Sequence, residues 1–132
     1  MRGGRRGAAD MLARMSDSAA VDLDPEDRKI LTLARSARAR NGVPEGAAVR
    51  DETGRTYVAG SVLLPSLPLS ALRTAVAMAF ASGAKALEAA AVVTEAASVP
   101  AEDLAAVRDL GGPGTKVLRA GPDGAVAAVE TA

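Results

Sequence analysis

Three observations predict an α/β domain of three layers, with helices on both faces of one central sheet. Turn and cap residues divide the chain into three helical and five extended segments, in the order α-β-β-α-β-α-β-β. One extended segment, residues 89–94, is apolar almost throughout, as befits a strand covered on both faces. The length, 132 residues of which 48% are hydrophobic, suits a single core burying roughly two-thirds of the unfolded surface.

The first helix starts at Asp24-Pro25-Glu26-Asp27. Asp caps the free N–H groups, Pro is pre-set for the first helical position, and the acids complement the positive end of the dipole. Ile30, Leu31, Leu33, Ala34 and Ala37 recur at helical spacing. Arg35, Arg38 and Arg40 collect toward the end, and Asn41-Gly42 stops the helix. Residues 46–50 form a short apolar strand, Asp51-Glu52-Thr53-Gly54 a turn, and residues 55–62 a second strand around Tyr57 and Val58, together a hairpin. Residues 69–81 are apolar nearly all round (Leu72, Ala75, Val76, Ala79, Phe80), which predicts a helix buried between layers and closed by Ser82-Gly83. Beyond the strand at 89–94, Pro100-Ala101-Glu102-Asp103 opens a third helix through about Leu110, ended by Gly111-Gly112-Pro113-Gly114. Terminal strands at 116–119 and 125–129 flank Gly121-Pro122-Asp123-Gly124.

The composition excludes several chemistries. There is no cysteine, histidine or tryptophan, and Tyr57 and Phe80 are the only aromatics. Disulfides, thiolate nucleophiles and Cys-ligated zinc are ruled out, as is the usual acid–base group of neutral pH. Any catalysis would run on carboxylates, hydroxyls, lysines or arginines. Sixteen basic residues balance sixteen acidic ones, which disfavours a nucleic-acid partner. The one local basic surplus, Arg2, Arg5, Arg6 and Arg14 against Asp10 among glycines, predicts a flexible basic arm over residues 1–22, with a single domain over 23–132. No apolar core of a secretory leader follows those arginines, and no apolar run approaches the ~20 residues of a membrane span. A cytoplasmic protein is expected.

Three motifs carry little. Gly111-Gly112-Pro113-Gly114-Thr115-Lys116 has the composition of a phosphate loop. It follows a helix and leads into a strand, Pro113 lacks an N–H, and the Gly-Lys-Ser/Thr order is missing. Asp24, Glu26 and Asp27, and likewise Glu102 and Asp103, sit in first helical turns, where acids are expected for dipole reasons alone. Ser36, Ser66, Ser70 and Ser82 have no histidine base to activate them.

At Gly46-Ala47-Ala48-Val49, then Gly54-Arg55-Thr56-Tyr57-Val58-Ala59-Gly60, then Ser70-Ala71-Leu72-Arg73-Thr74-Ala75, the chain resembles the small cytidine deaminase family, in the family's order and over residues 33–110. In that family a strand reads Val-Gly-Ala-Ala and a later strand ends Gly-x-Asn-Val-Glu-Asn. A buried helix begins Cys-Ala-Glu-Arg-x-Ala, and a further helix begins Pro-Cys-x-x-Cys. Gly46-Ala47-Ala48, Arg73, Ala75 and Pro100 match. The resemblance implies a three-layer α-β-α domain around a mixed five-stranded sheet, and a homo-oligomer, dimer or tetramer.

The family's chemical groups have departed. Its zinc-ligand cysteines fall at Ser70, Ala101 and Leu104, and its catalytic glutamate at Leu72. The ribose-contacting Asn and Glu fall at Ser61 and Leu63, and the aromatic that packs on the base falls near Val43. Zinc deamination needs three metal ligands and a Glu to move the proton, so the resemblance implies neither metal nor cofactor here. The sequence therefore reads as a catalytically inactive deaminase-like protein with a structural or interaction role. A zinc-independent nucleoside- or nucleotide-binding module stands beside it, and a residual hydrolase using carboxylates is a third reading. The first reading expects Leu63, Leu64, Leu67, Leu69 and Leu72 to converge on the former site and fill it, since each leucine buried there would contribute ~1.5–3 kcal/mol.

Overall fold

The computed structural model describes residues 23–132. The basic arm expected over residues 1–22 lies outside the described residues. Helix α1 (Pro25–Asn41) starts on an Asp24 cap whose side chain accepts the Glu26 N–H, and stops on Gly42 at φ 63, a left-handed conformation suited to glycine. Strands β1 (Gly46–Asp51) and β2 (Thr56–Gly60) form the expected hairpin. Then come β3 (Val62–Leu64), β4 (Leu67–Leu69) and α2 (Ala71–Ala81). The chain closes with β5 (Leu87–Val93), α3 (Ala101–Gly111), β6 (Lys116–Ala120) and β7 (Val126–Thr131).

Five strands make one sheet in the order β2-β1-β5-β6-β7. β5 and β6 run parallel and the other neighbours antiparallel, so the sheet is mixed. Side chains alternate along β5: Ala89, Ala91 and Val93 meet Ile30, Leu31 and Ala34 of α1, while Ala90 and Val92 meet the core under α2 and α3, with Leu72, Ala75 and Val107. That alternation produces the three layers. Small side chains let the layers approach closely. A Cβ on Gly46 would stand 2.0 Å from the Ala34 carbonyl oxygen and 2.7 Å from the Arg38 nitrogen, so only glycine lets β1 pass under α1.

Two expectations need correction. The strand read over 55–62 leaves the sheet at Gly60, and residues 62–69 form a separate two-stranded hairpin, β3–β4, turning at Pro65-Ser66. Gly60 marks the departure, because a Cβ there would lie 2.9 Å from both Asn41 Nδ2 and Val43 Cγ2. The helix read over 69–81 begins at Ala71, and it is not buried all round. Ala71, Leu72, Ala75, Val76 and Ala79 face the core, while Met78 and Phe80 are exposed.

The β1–β2 turn is held by a single carboxylate. Asp51 Oδ1 accepts the Thr53 N–H at 2.9 Å, the Thr53 hydroxyl at 2.7 Å and the Arg55 N–H at 3.0 Å, and Oδ2 accepts the Tyr57 hydroxyl at 2.9 Å. Burial alone would raise this carboxyl, but the four donors outweigh it and hold it at about 2. A pKa depressed on folding stabilises the protein wherever the unfolded carboxyl is ionised, and that contribution fades as pH falls from about 4 toward about 2. Acid titration followed by circular dichroism should therefore show stability falling through this window. In Asp51→Asn the fall should be shallower, starting from a lower stability at neutral pH.

Candidate functional site

At one end of the sheet, α1 ends, β1 begins, β5 ends and α2 begins. Between them lies an open pocket of about 480 Å³. Ser61, Leu63 and Leu69 line it from the β3–β4 side, Ser70 from the start of α2, and Thr94, Glu95 and Ala96 from the segment after β5. Arg38, Pro44 and Glu45 complete the wall. Glu45 is fixed on both its main chain and its side chain. Its N–H donates to Ser61 Oγ at 3.0 Å, its carbonyl accepts the Ser61 N–H at 3.1 Å, and its Oε2 accepts the Thr94 hydroxyl at 2.9 Å. Arg38 donates from Nε to the Pro44 carbonyl at 2.9 Å and from a terminal nitrogen to Glu95 at 3.4 Å.

Ser70 connects the pocket floor to a charge pair beneath it. As the α2 cap, its Oγ accepts the Arg73 N–H at 3.1 Å and the Arg73 Nε at 3.3 Å. Arg73 Nε also stands 3.2 Å from Oδ1 of Asp103, a residue 2% exposed in the first turn of α3. That oxygen has a charge partner but no well-aligned hydrogen-bond donor. Burial pushes the Asp103 carboxyl up, and the Ser70 hydroxyl and Arg73 guanidinium pull it only partly back.

Of the residues singled out from sequence, Ser61, Leu63 and Ser70 line the pocket. Val43 is half-buried and outside the lining, Leu72 is fully buried in the core, Leu104 packs on the core edge, and Ala101 is exposed. The expected filling by leucines is overturned. Leu63, Leu64 and Leu67 are 68%, 57% and 51% exposed, and of the five only Leu72 is fully buried. The hairpin explains this, because its own cross-strand pairing carries these leucines away from the sheet rather than into it. Arg38, Glu45, Thr94 and Glu95 were not anticipated. A signal for Glu45 existed, as a charge standing immediately before the apolar Gly46-Ala47-Ala48-Val49 run.

The remaining motifs resolve as structure. The glycine loop ends α3, with Gly112 at φ 88 and Gly114 at φ 87. Asp27 is buried against Arg50 and Lys116. Ser82-Gly83-Ala84-Lys85 has the Ser-x-x-Lys spacing of some nucleophilic serines, but Ser82 and Lys85 are exposed after α2 and line neither the pocket above Ser70 nor the groove between α2 and α3. Among the described residues no group of three or more His, Cys, Asp or Glu could hold a metal ion, and no helix is long and apolar enough to cross a membrane.

A mixed five-stranded sheet between one helix and two others, with a pocket at the start of α2, defines a three-layer α/β domain. Residues 23–124 match the family described as cytidine deaminase-like, and the chain belongs to that family. Among solved structures, cytidine deaminase from Burkholderia pseudomallei matches with TM-score 0.68 and 24% identity, covering 78% of this chain and 90% of that one. Cytidine deaminase from Mycobacterium leprae matches with TM-score 0.65 and 22% identity, covering 82% and 94%. A mutant cytidine deaminase from Mycobacterium tuberculosis matches with TM-score 0.60 and 22% identity, covering 73% and 85%. At these identities the likeness shows the fold alone. No curated protein matches.

The zinc used by the deaminase family that the sequence resembles does not fit the residues present. At the positions that the resemblance matches to the family's ligands, Ser70 offers a hydroxyl already accepting two Arg73 donors, and Ala101 and Leu104 offer no donor atom. A guanidinium cation already stands between Ser70 and Asp103, so a second cation would meet repulsion in place of thiolates.

Proposed function

We propose that the chain binds a small nucleoside-like ligand in the pocket above Ser70, without zinc and without deaminating it. The observation that carries this reading is the open pocket itself. Its volume of about 480 Å³ falls in the ~300–1,000 Å³ range of small-ligand sites, and it combines apolar walls with fixed polar groups. Loss of catalysis is supported by the residues at the family's chemical positions, Ser70, Leu72, Ala101 and Leu104, none of which can hold a metal or move a proton as a glutamate does. Purified protein titrated with cytidine, uridine and related nucleosides should show saturable amide shifts at Glu45, Ser61 and Thr94, release no ammonia above blank, and carry far less than one zinc per chain. Stoichiometric zinc with ammonia release would overturn the reading, and so would the absence of binding by any small molecule.

Self-association is a second role with its own observation. Phe80 is 70% exposed on α2, at an apolar groove of about 360 Å³ lined also by Val76 of α2 and Leu110 of α3. A second copy packed there would cover it, in keeping with the oligomer the resemblance implies. Sedimentation at micromolar concentration should report a dimer or larger, and Phe80→Glu should shift it to monomer. A wild-type monomer would end this part of the proposal.

A further inference from the structure

We propose that the pocket selects a ligand carrying a cationic amine, with Glu45 as its anchor. This rests on the reading of the pocket as a small-ligand site and narrows the nucleoside-like class to molecules that carry an amine protonated at neutral pH. The charged groups lining it are Arg38, Glu45 and Glu95, a formal excess of one negative charge. The single guanidinium among them is engaged by the Pro44 carbonyl and by Glu95. The hydroxyls are also committed: Ser61 Oγ is held by the Glu45 main chain, and Thr94 Oγ1 donates to Glu45 and accepts the Ala96 N–H.

What the pocket offers a ligand is therefore acceptor oxygen with negative charge. Glu45 Oε2 is pinned by Thr94, which fixes the carboxylate in place, and no described residue donates to Oε1. A phosphorylated ligand would meet two carboxylates and an engaged arginine. A neutral ligand could donate a hydrogen bond to Oε1, but an ammonium group makes the same bond and adds the Coulomb attraction of an opposite charge. Leu63 and Leu69 supply apolar surface in the same pocket, so the amine should carry an apolar or aromatic body.

The test uses the full chain and four probes, followed by amide chemical shifts: 2-phenylethylammonium, its neutral isostere 2-phenylethanol, cytidine, and cytidine monophosphate. The ammonium should bind about threefold to fivefold more tightly than the alcohol, the worth of an ion pair at a partly exposed carboxylate. Cytidine monophosphate should bind more weakly than cytidine. Glu45→Gln, nearly isosteric and half-exposed, should remove the difference between ammonium and alcohol, and Thr94→Val should reduce it. Equal affinity for ammonium and alcohol overturns the inference, as does an ammonium affinity unchanged in Glu45→Gln or preferential binding of the monophosphate. If cytidine binds and the ammonium does not, the amine class falls while the ligand-site reading stands. If none of the four moves the pocket amides, both fall.

Discussion

Leu72→Ala should lower the free energy of unfolding by about 2–5 kcal/mol, the cost of truncating a buried leucine whose surroundings only partly collapse. Leu72 is fully buried, on the α2 face that meets the sheet with Ala75 and Ala79. Its neighbours are largely alanines and valines, short side chains that cannot swing into the vacated space, which places the expected loss in the upper part of that range. Urea denaturation should show a lower midpoint with an unchanged slope. A loss well under 1 kcal/mol would mean that Leu72 lines accessible space. Leu72→Glu, which restores the residue type of the family's catalytic position, should be still less stable, because a carboxylate would be buried without a partner. It should release no ammonia from cytidine, since metal ligands would still be missing.

The second large effect is expected at the opposite end of the sheet. Arg50, at the end of β1, donates to Asp27 at 3.0 Å and to Glu88 at 2.8 Å, and Lys116 closes the cluster on the other oxygen of Asp27. Asp27 belongs to the first turn of α1, so the cluster ties that helix to β1, β5 and β6. Arg50→Met should destabilise by about 3–5 kcal/mol, because it leaves a buried carboxylate short of charge and donors. Asp27→Leu combined with Arg50→Met should recover much of the loss, because an apolar pair needs no partners. A double variant no more stable than Arg50→Met would show that the cluster supplies net stability rather than satisfying its own burial.

How much of this was legible follows from how local each signal is. The α1 boundaries rest on Asp24, Pro25 and Gly42, each acting on its immediate neighbours, and the structure keeps all three. The double-faced burial of β5 is written in its apolar run. The β3–β4 hairpin was missed because Val62 to Leu64 continue the apolar pattern of β2, and because a leucine-rich stretch reads as core when nothing shows that it stands apart from the sheet. Ser70 was legible through the resemblance, as the position where the family's helix-opening cysteine falls. The other pocket groups come from α1, the approach to β1 and the exit of β5, separated by up to 57 residues between Arg38 and Glu95. Only the sheet brings them together. A charge at Glu45 announces an exception to burial without saying which distant groups will surround it.

The β3–β4 hairpin also bears on how the protein behaves when crowded. A short ribbon displaying Leu63, Leu64 and Leu67 to solvent is a template on which another chain could add a strand, the first step toward aggregation. Pro65 stands in its turn and Pro68 within β4, opposite Leu63. Neither has an N–H to offer, so the edge carrying Pro68 cannot complete a regular ladder with an incoming strand. Strands of three residues add few further bonds. The two prolines let an apolar ribbon stay exposed beside the pocket while discouraging its growth into a larger sheet.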